Sequence, residues 1–224
     1  MKLARLDPGG PLDTAFGQDG IATIDFGGDD FGVALARQPD GRLLVAGRST
    51  TAGAIVARLR SNGTLDPTFG GGDGRVALPG GGSTSEVLVQ PDGKLLVAGN
   101  AAGAEAMTVS RLLPDGTPDP GFGGGDGVAT VDVAPLADSA AGAALQPDGR
   151  IVLAGSSQAS GDMAVVRLLA DGSPDPGFGT AGIATVDFGA AAFGFAVALQ
   201  PGGGIVVAGQ RTGDDDMAVA RLHG

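Results

Sequence analysis

The sequence predicts an all-β fold, a β-propeller of four-stranded antiparallel blades, because a unit of about 54 residues is used about four times. The tetrapeptide Gln-Pro-Asp-Gly begins at Gln38, Gln90 and Gln146, and a variant begins at Gln200. An apolar run that ends in Ala-Gly follows each copy, and Arg-Leu and Phe-Gly pairs recur at a similar spacing. Four strands in a unit of about 50 residues are typical of propeller blades.

Each unit divides into four predicted strands, A to D. Strand A is half apolar (33–37), and Pro-Asp-Gly then closes a tight turn, since Pro fixes φ and Gly accepts a positive φ. Strand B is a continuous apolar run (43–47), as expected of a strand covered on both faces. Strand C (55–59) alternates, and a loop rich in Gly, Pro and Asp leads to strand D, for example 21–26.

The strand tally predicts one propeller domain over 1–224 with a closed ring. Complete blades are expected at about 33–79, 85–133 and 140–188. Segment 194–222 supplies strands A to C, and we expect strand D from 20–26 to complete it, pairing the N- and C-terminal strands. A monomeric four-blade ring is preferred over a homodimeric eight-blade ring. Segment 1–6 aligns with 217–222, so two strands compete for one position.

Composition excludes several classes of function. The chain has 43 Gly, 23 Asp against 2 Glu, no Cys and one His, His223. Without Cys there is no disulfide framework or thiol nucleophile, and a single His near one end makes a Ser-His triad untenable. The net charge of -11 disfavours nucleic acid. No apolar stretch is long enough to insert into a membrane, and the first residues do not form a signal peptide.

One string of residues closely resembles the delta-60 repeat of bacterial proteins. It comprises Leu-Gln-Pro-Asp-Gly-Arg-Ile-Val-Leu-Ala-Gly (145–155), Met-Ala-Val-Val-Arg-Leu (163–168) and Asp-Gly-Ser-Pro-Asp-Pro-Gly-Phe-Gly (171–179). The resemblance extends over essentially the whole chain. It implies a propeller-like fold and an exported or cell-surface parent protein, but no settled activity.

Arg and Asp recur eight residues apart in the pattern Arg-Leu-x-x-x-Gly-x-x-Asp. Because the offset is constant in every unit, we interpret them as ion pairs that hold the loop between strands C and D, not as ligand sites. The recurring Phe is expected to fill the gap between neighbouring blades. The four pairs are Arg5/Asp13, Arg58/Asp66, Arg111/Asp119 and Arg167/Asp175, and the Phe residues are Phe16, Phe69, Phe122 and Phe178.

Function on a repeat scaffold is expected where the repeats differ, in loops on one face. The D-to-A and B-to-C loops are predicted to share a face, and their acids could hold a hard cation such as calcium. We expect a non-enzymatic scaffold or interaction module without a resident cofactor, with a protein or glycan as partner. The alternatives are a lyase or glycosidase that uses these carboxylates, and a calcium-stabilised module. The candidates are Asp29, Asp30, Asp138, Asp162, Asp214 and Asp216.

Overall fold

The computed structural model describes residues 1–80, 82–103, 106–134, 138–213 and 216–224, which form five antiparallel sheets. The N-terminal strand pair contains β1 (Lys2–Ala4) and β2 (Ile21–Thr23). Sheet 1 contains β3 (Asp30–Arg37), β4 (Leu43–Ser49), β5 (Gly53–Leu59) and β6 (Arg75–Ala77). Sheet 2 contains β7 (Ser83–Val89), β8 (Leu95–Asn100), β9 (Met107–Leu112) and β10 (Val128–Val131).

The remaining strands form two further sheets. Sheet 3 contains β11 (Asp138–Leu145), β12 (Ile151–Ser157), β13 (Met163–Leu168) and β14 (Ile183–Val186). Sheet 4 contains three strands, β15 (Ala192–Leu199), β16 (Ile205–Arg211) and β17 (Met217–Leu222). In every sheet, each strand pairs with the next along the chain. The described residues contain no helix long and apolar enough to cross a membrane.

The Pro-Asp-Gly turns form as the sequence predicts. In sheet 1 the Gln38 N–H donates to the Arg42 carbonyl at 2.8 Å, and the Gly41 N–H donates back to the Gln38 carbonyl at 3.0 Å. Gly41 has φ of 87°, which only glycine adopts readily. The turn therefore joins strands A and B of each unit with little strain.

The glycine that ends strand B is required by a close approach of strand A. A Cβ added to Gly47 would lie 1.9 Å from the Phe31 carbonyl oxygen, and one added to Gly155 would lie 1.7 Å from the Ser139 carbonyl oxygen. The register shifts at the same place in all four sheets, for example between Gly32 and Ala34 in sheet 1. This β-bulge and the glycine opposite it explain why each apolar run ends in Ala-Gly.

The hydrophobic cores lie between sheets and not inside them. We call the face of a sheet toward the preceding unit its back face and the other its front face. Leu44 and Val56 on the front of sheet 1 pack with Val87 and Val97 on the back of sheet 2. Equivalent clusters join sheet 2 to sheet 3, sheet 3 to sheet 4, and the N-terminal strand pair to sheet 1. Strand B is apolar on consecutive positions because it faces two such cores.

The structure does not contain the predicted composite blade, in which segment 20–26 would pair with segment 194–222. Strand β2 pairs with β1, through Lys2↔Thr23, Leu3↔Ala22 and Ala4↔Ile21, and sheet 4 ends at β17 in the described chain. The strands β1 and β2 belong to the same repeat unit, so their pairing closes a short loop, which costs less entropy than joining the two ends of the chain. The segment 20–26 therefore pairs within its own repeat unit, and no sheet of the described chain joins the N- and C-terminal strands.

Candidate functional site

The sheets present two different surfaces at their ends. The D-to-A and B-to-C loops lie together, as predicted: Thr50 N–H donates to the Asp29 carbonyl at 3.0 Å, and Ala192 N–H donates to the Gly161 carbonyl at 2.7 Å. We call this end the loop surface. The Pro-Asp-Gly turns and the C-to-D loops lie at the opposite end, which we call the turn surface. The recurring charged residues belong to the turn surface.

The structure forms every predicted Arg/Asp pair. The distance from the Arg Nε atom to the Asp Oδ2 atom is 2.7 Å for Arg5/Asp13, 2.8 Å for Arg58/Asp66, 2.7 Å for Arg111/Asp119 and 2.8 Å for Arg167/Asp175. The last three pairs are buried. In each, the second carboxylate oxygen accepts the N–H two residues later, for example Gly121 N–H at 2.9 Å. The carboxylate thus holds the conformation of the loop and also pairs with the charge of the buried Arg.

Each recurring Arg also lies over the recurring Phe of its own unit. The guanidinium carbon is 4.6 Å from the ring centre of Phe16, 4.6 Å from that of Phe69, 4.5 Å from that of Phe122 and 4.6 Å from that of Phe178. This distance is within the range of a cation–π contact. We call the Arg, Asp and Phe of one unit a latch.

The latch connects one unit to the next. Arg58 donates through Nη1 to the Pro114 carbonyl, and Arg111 donates to the Ala170 carbonyl, both in the following unit. A Cβ added to Gly116 would lie 2.8 Å from the Phe69 ring, so this glycine lets the next loop rest on the Phe. The latch therefore fixes the spacing of neighbouring sheets, and the Phe fills the gap between units as predicted.

A second cation, in addition to the Arg of the latch, lies beside each buried Asp. Arg42 Nε lies 2.8 Å from Asp66, Lys94 Nζ lies 3.1 Å from Asp119, and Arg150 Nε lies 3.0 Å from Asp175. These cations immediately follow the Pro-Asp-Gly turns, and the fourth unit has Gly204 at that position. A recurring basic residue after the turn was the signal that could have revealed them.

The latch carboxylates have lowered pKa values. Burial raises the pKa of Asp119, but the Gly121 N–H, Lys94 and Arg111 together outweigh it, and the pKa lies below its ordinary value. For Asp175 the Gly177 N–H is the largest influence and lowers the pKa, assisted by Arg167. Both groups are therefore ionised at neutral pH and balance the charge of the buried Arg.

Two predicted loop acids are structural. The Asp30 side chain is buried and accepts the Phe26 N–H at 2.7 Å. Asp138 is also buried and accepts the Val133 N–H at 2.6 Å. Because these carboxylates bond the backbone of the D-to-A loop, they are not presented as ligands at the loop surface. Their expected role there is corrected.

The other candidates remain at the loop surface. Asp29 and Asp216 are exposed, and Asp162 is half-buried. The backbone N–H of Asp162 donates to Ser160 Oγ at 3.2 Å. Asp214 lies outside the described residues. Within the part of the chain that the structure describes, no group of three or more His, Asp or Glu side chains could hold a metal ion.

The larger openings of the described surface lie at the turn surface, opposite the predicted site. A groove of about 490 Å³ separates the turn around Asp40 from Asp92 and Asp115 of the next unit, with Arg42 and Arg58 in its wall. A second groove, of about 530 Å³, separates the turns of sheets 3 and 4. A cavity beside Asn100 at the loop surface has a volume of only about 10 Å³. The latch residue Arg58 thus forms part of the wall of the groove that has the most charged side chains in its lining.

Comparison with known proteins supports β-propeller repeats. A family model described as "Domain of unknown function (DUF5122) beta-propeller" matches residues 38–69, 90–122 and 146–178. Each match runs from a Gln-Pro-Asp-Gly turn to the Phe of the latch. The chain is built from β-propeller repeats. No curated protein matches the chain.

Solved structures share this propeller-like fold at low identity. Hydrazine synthase from Kuenenia stuttgartiensis matches with a TM-score of 0.63 and 14% identity over 95% of this chain and 51% of that chain. A catalytically inactive virginiamycin B lyase from Staphylococcus aureus with quinupristin matches with a TM-score of 0.54 and 11% identity, over 89% and 58%. An exo-β-1,3-galactanase from Phanerochaete chrysosporium with β-1,3-galactotriose gives 0.52 and 13%, over 90% and 49%. The chain spans about half the length of these neighbours.

Replacing Arg111 with Ala is expected to lower the melting temperature sharply. The change leaves the buried Asp119 with Lys94 as its remaining counter-charge and removes the bond to the following unit, a loss of about 3–5 kcal/mol for a broken buried pair. At about 2–4 °C per kcal/mol for a chain of this size, the melting temperature should fall by roughly 6–20 °C. The exposed Arg37→Ala is the matched control and should change it little. Equal melting temperatures for the two variants would contradict the latch.

Acidification is expected to destabilise the fold through the latch carboxylates. Their folded pKa values lie below the unfolded value of about 3.9, so their contribution is complete above about pH 5 and is lost as the pH falls through the folded pKa. Thermal melts from pH 7 to pH 3 should show this loss. It should be smaller in Asp13→Asn, which removes the partly exposed latch of the N-terminal pair. A melting temperature constant from pH 5 to pH 3 would exclude the linkage.

Proposed function

We propose that the protein is a non-enzymatic β-propeller scaffold that presents a rigid surface to a protein or glycan partner. We further propose that its repeats are of the delta-60 kind and that they are completed into a closed ring. The latch is the observation that carries the proposal. The recurring charged residues are bonded within and between sheets, so their constant spacing along this chain serves the rigidity of the frame.

The groove at the turn surface supports a binding role. Asp40 lies beside Arg42, and Asp92 and Asp115 face them from the next unit. A rigid groove with alternating charges offers paired hydrogen-bond donors and acceptors to a peptide backbone or to sugar hydroxyls. The position of the groove between two repeats also places its shape under the control of the latch.

The chemistry of the groove argues against glycoside hydrolysis there. That reaction needs one carboxyl group whose pKa is raised, so that it can donate a proton to the leaving group. The Arg42 N–H holds the pKa of Asp40 below its ordinary value, and the Thr117 hydroxyl does the same for the pKa of Asp115. These groups suit ligand binding better than proton donation.

A combined binding and turnover assay tests the proposal. The chain is incubated with a panel of polysaccharides and chromogenic glycosides, and reducing sugar, unsaturated products and released chromophore are measured. We expect no turnover, with any glycan recognition visible as binding on an array of the same sugars. As a matched pair, Asp92→Asn in the groove should weaken that binding, and Asp126→Asn outside it should not. Turnover abolished by Asp29→Asn or Asp162→Asn would establish an enzyme at the loop surface instead.

A further inference from the structure

The exposed large apolar side chains of the described residues lie only at the two ends of the series of sheets. The N-terminal strand pair, its loop and β3 contribute one group, and sheet 4 contributes the other. Sheets 2 and 3 contribute none. The two groups are Leu6, Leu12, Phe31, Val33 and Leu35, and Phe193, Phe195, Met217 and Val219.

On the back face of sheet 1, Leu35 is exposed to solvent, whereas the equivalent residues of sheets 2 and 3 are buried. Leu35 is 54% exposed, whereas Val87 at the same position of sheet 2 is 2% exposed and Ala143 in sheet 3 is 9% exposed. Those two residues pack on strands A and B of the preceding sheet. The N-terminal strand pair covers β4 and β5 through Ala22 and Ile24, but it has no strands A and B to cover β3.

In sheet 4 the uncovered apolar face is the front face, opposite to the uncovered back face of sheet 1. Val219 is 54% exposed, whereas its equivalents Val56, Val109 and Val165 are fully buried against the following sheet. Met217 is 81% exposed, whereas Met107 is fully buried. Sheet 4 therefore presents the surface that a following back face covers elsewhere in the chain.

We propose that these two ends belong together in a head-to-tail homodimer, in which sheet 4 of each copy packs on the back of sheet 1 of the other. Two such junctions are related by a twofold axis and close a ring of eight blades. The interface needs no new chemistry, because it repeats the contact that already joins sheets 1 to 2, 2 to 3 and 3 to 4. The inference rests on the proposed ring, but not on the absence of catalysis.

A second copy fits the described geometry better than closure of one chain on itself. Outside its own sheet, β15 makes its main contacts with β11, β12 and β13 of sheet 3. Among the described strands, no comparable contact joins sheet 4 to the N-terminal strand pair or to sheet 1. A partner copy covers both ends with the same kind of packing that joins the internal sheets.

The junction requires β17 to replace β1. The two strands share Met-x-x-Ala-Arg-Leu, so both carry the side chains for the same position. Strand β17 pairs with β16 over six residues, whereas β1 pairs with β2 over three. Because β1 makes fewer pairs, it is the strand that leaves. The partner's β2 then pairs with β17, and Arg221 takes the place of Arg5 beside Asp13 and Phe16.

The internal interface predicts which residues meet across the junction. A Cβ added to Gly142, on the front of sheet 3, would lie 3.2 Å from the Ala196 Cα atom and 3.4 Å from the Val197 N atom of sheet 4. By repeat equivalence, Ala196 of one copy takes the place of Gly142, and Leu35 of the other takes the place of Val197. These two positions should therefore be adjacent in the dimer.

Sedimentation equilibrium of the 224-residue chain tests the assembly directly. The proposal expects a mass of about 43 kDa, twice the 21.7 kDa of one chain. Val219→Asp and Leu35→Asp should each give a folded monomer, since both side chains are exposed in the single chain. Thr130→Asp, exposed on β10 of sheet 2, is the matched control and should remain dimeric. A wild-type mass near 21.7 kDa, or a dimer that both variants leave intact, overturns the proposal.

Cysteine cross-linking distinguishes the dimer from self-closure, because the chain has no native Cys. Under an added thiol oxidant, Leu35→Cys/Ala196→Cys should form disulfides between copies and migrate as a dimer without reductant. Each single variant should migrate as a monomer. A cross-linked species with the mass of one chain would show that the ring closes within the chain, and would overturn the dimer while leaving the scaffold function standing.

Discussion

The structure depends on one constraint: each four-stranded sheet is apolar on both faces and must be covered on both sides by other sheets. Strand B shows this most clearly. Val152 packs toward sheet 4, and its neighbours Ile151 and Leu153 pack toward sheet 2. A sheet with two apolar faces cannot leave either in water without losing about 25 cal/mol for each Å² of apolar surface that stays exposed. The repeat is therefore stable only in series.

The latch gives the series its geometry. Hydrophobic contact is not directional, so packing alone would allow neighbouring sheets to slide or rotate. The Arg111 guanidinium prevents such movement, because it bonds Asp119, lies over Phe122 and donates to the Ala170 carbonyl of the next unit. Buried ion pairs contribute little net stability, but they penalise every arrangement in which a charge is left unpaired. The equivalent residue of sheet 1, Arg58, lies in the wall of the groove at the turn surface.

Much of this fold can be predicted from the sequence, because each position of the repeat unit occurs about four times along the chain. The turns at Gln38, Gln90 and Gln146, the Arg/Asp pairs and the role of Phe69 follow from local chemistry at a constant offset. The pairing of the terminal strands does not follow, because β1 and β17 have nearly the same residues and only the cost of loop closure separates them. The burial of Asp30 and Asp138 could not be predicted either. In the sequence, an Asp that accepts backbone N–H groups cannot be distinguished from an Asp that binds a cation. Lys94 was missed because a basic residue after a turn looks like an ordinary solvent-exposed charge.

Hydrogen exchange on the Val109→Ala variant tests the central claim most directly. Val109 is fully buried and lies in the core between sheets 2 and 3. If the cores are shared between sheets, amide protection should fall in both sheets, in β11–β13 as well as in β7–β10, relative to the wild-type chain. Loss of protection confined to the sheet that carries the substitution would contradict the account, because each sheet would then be stabilised from within.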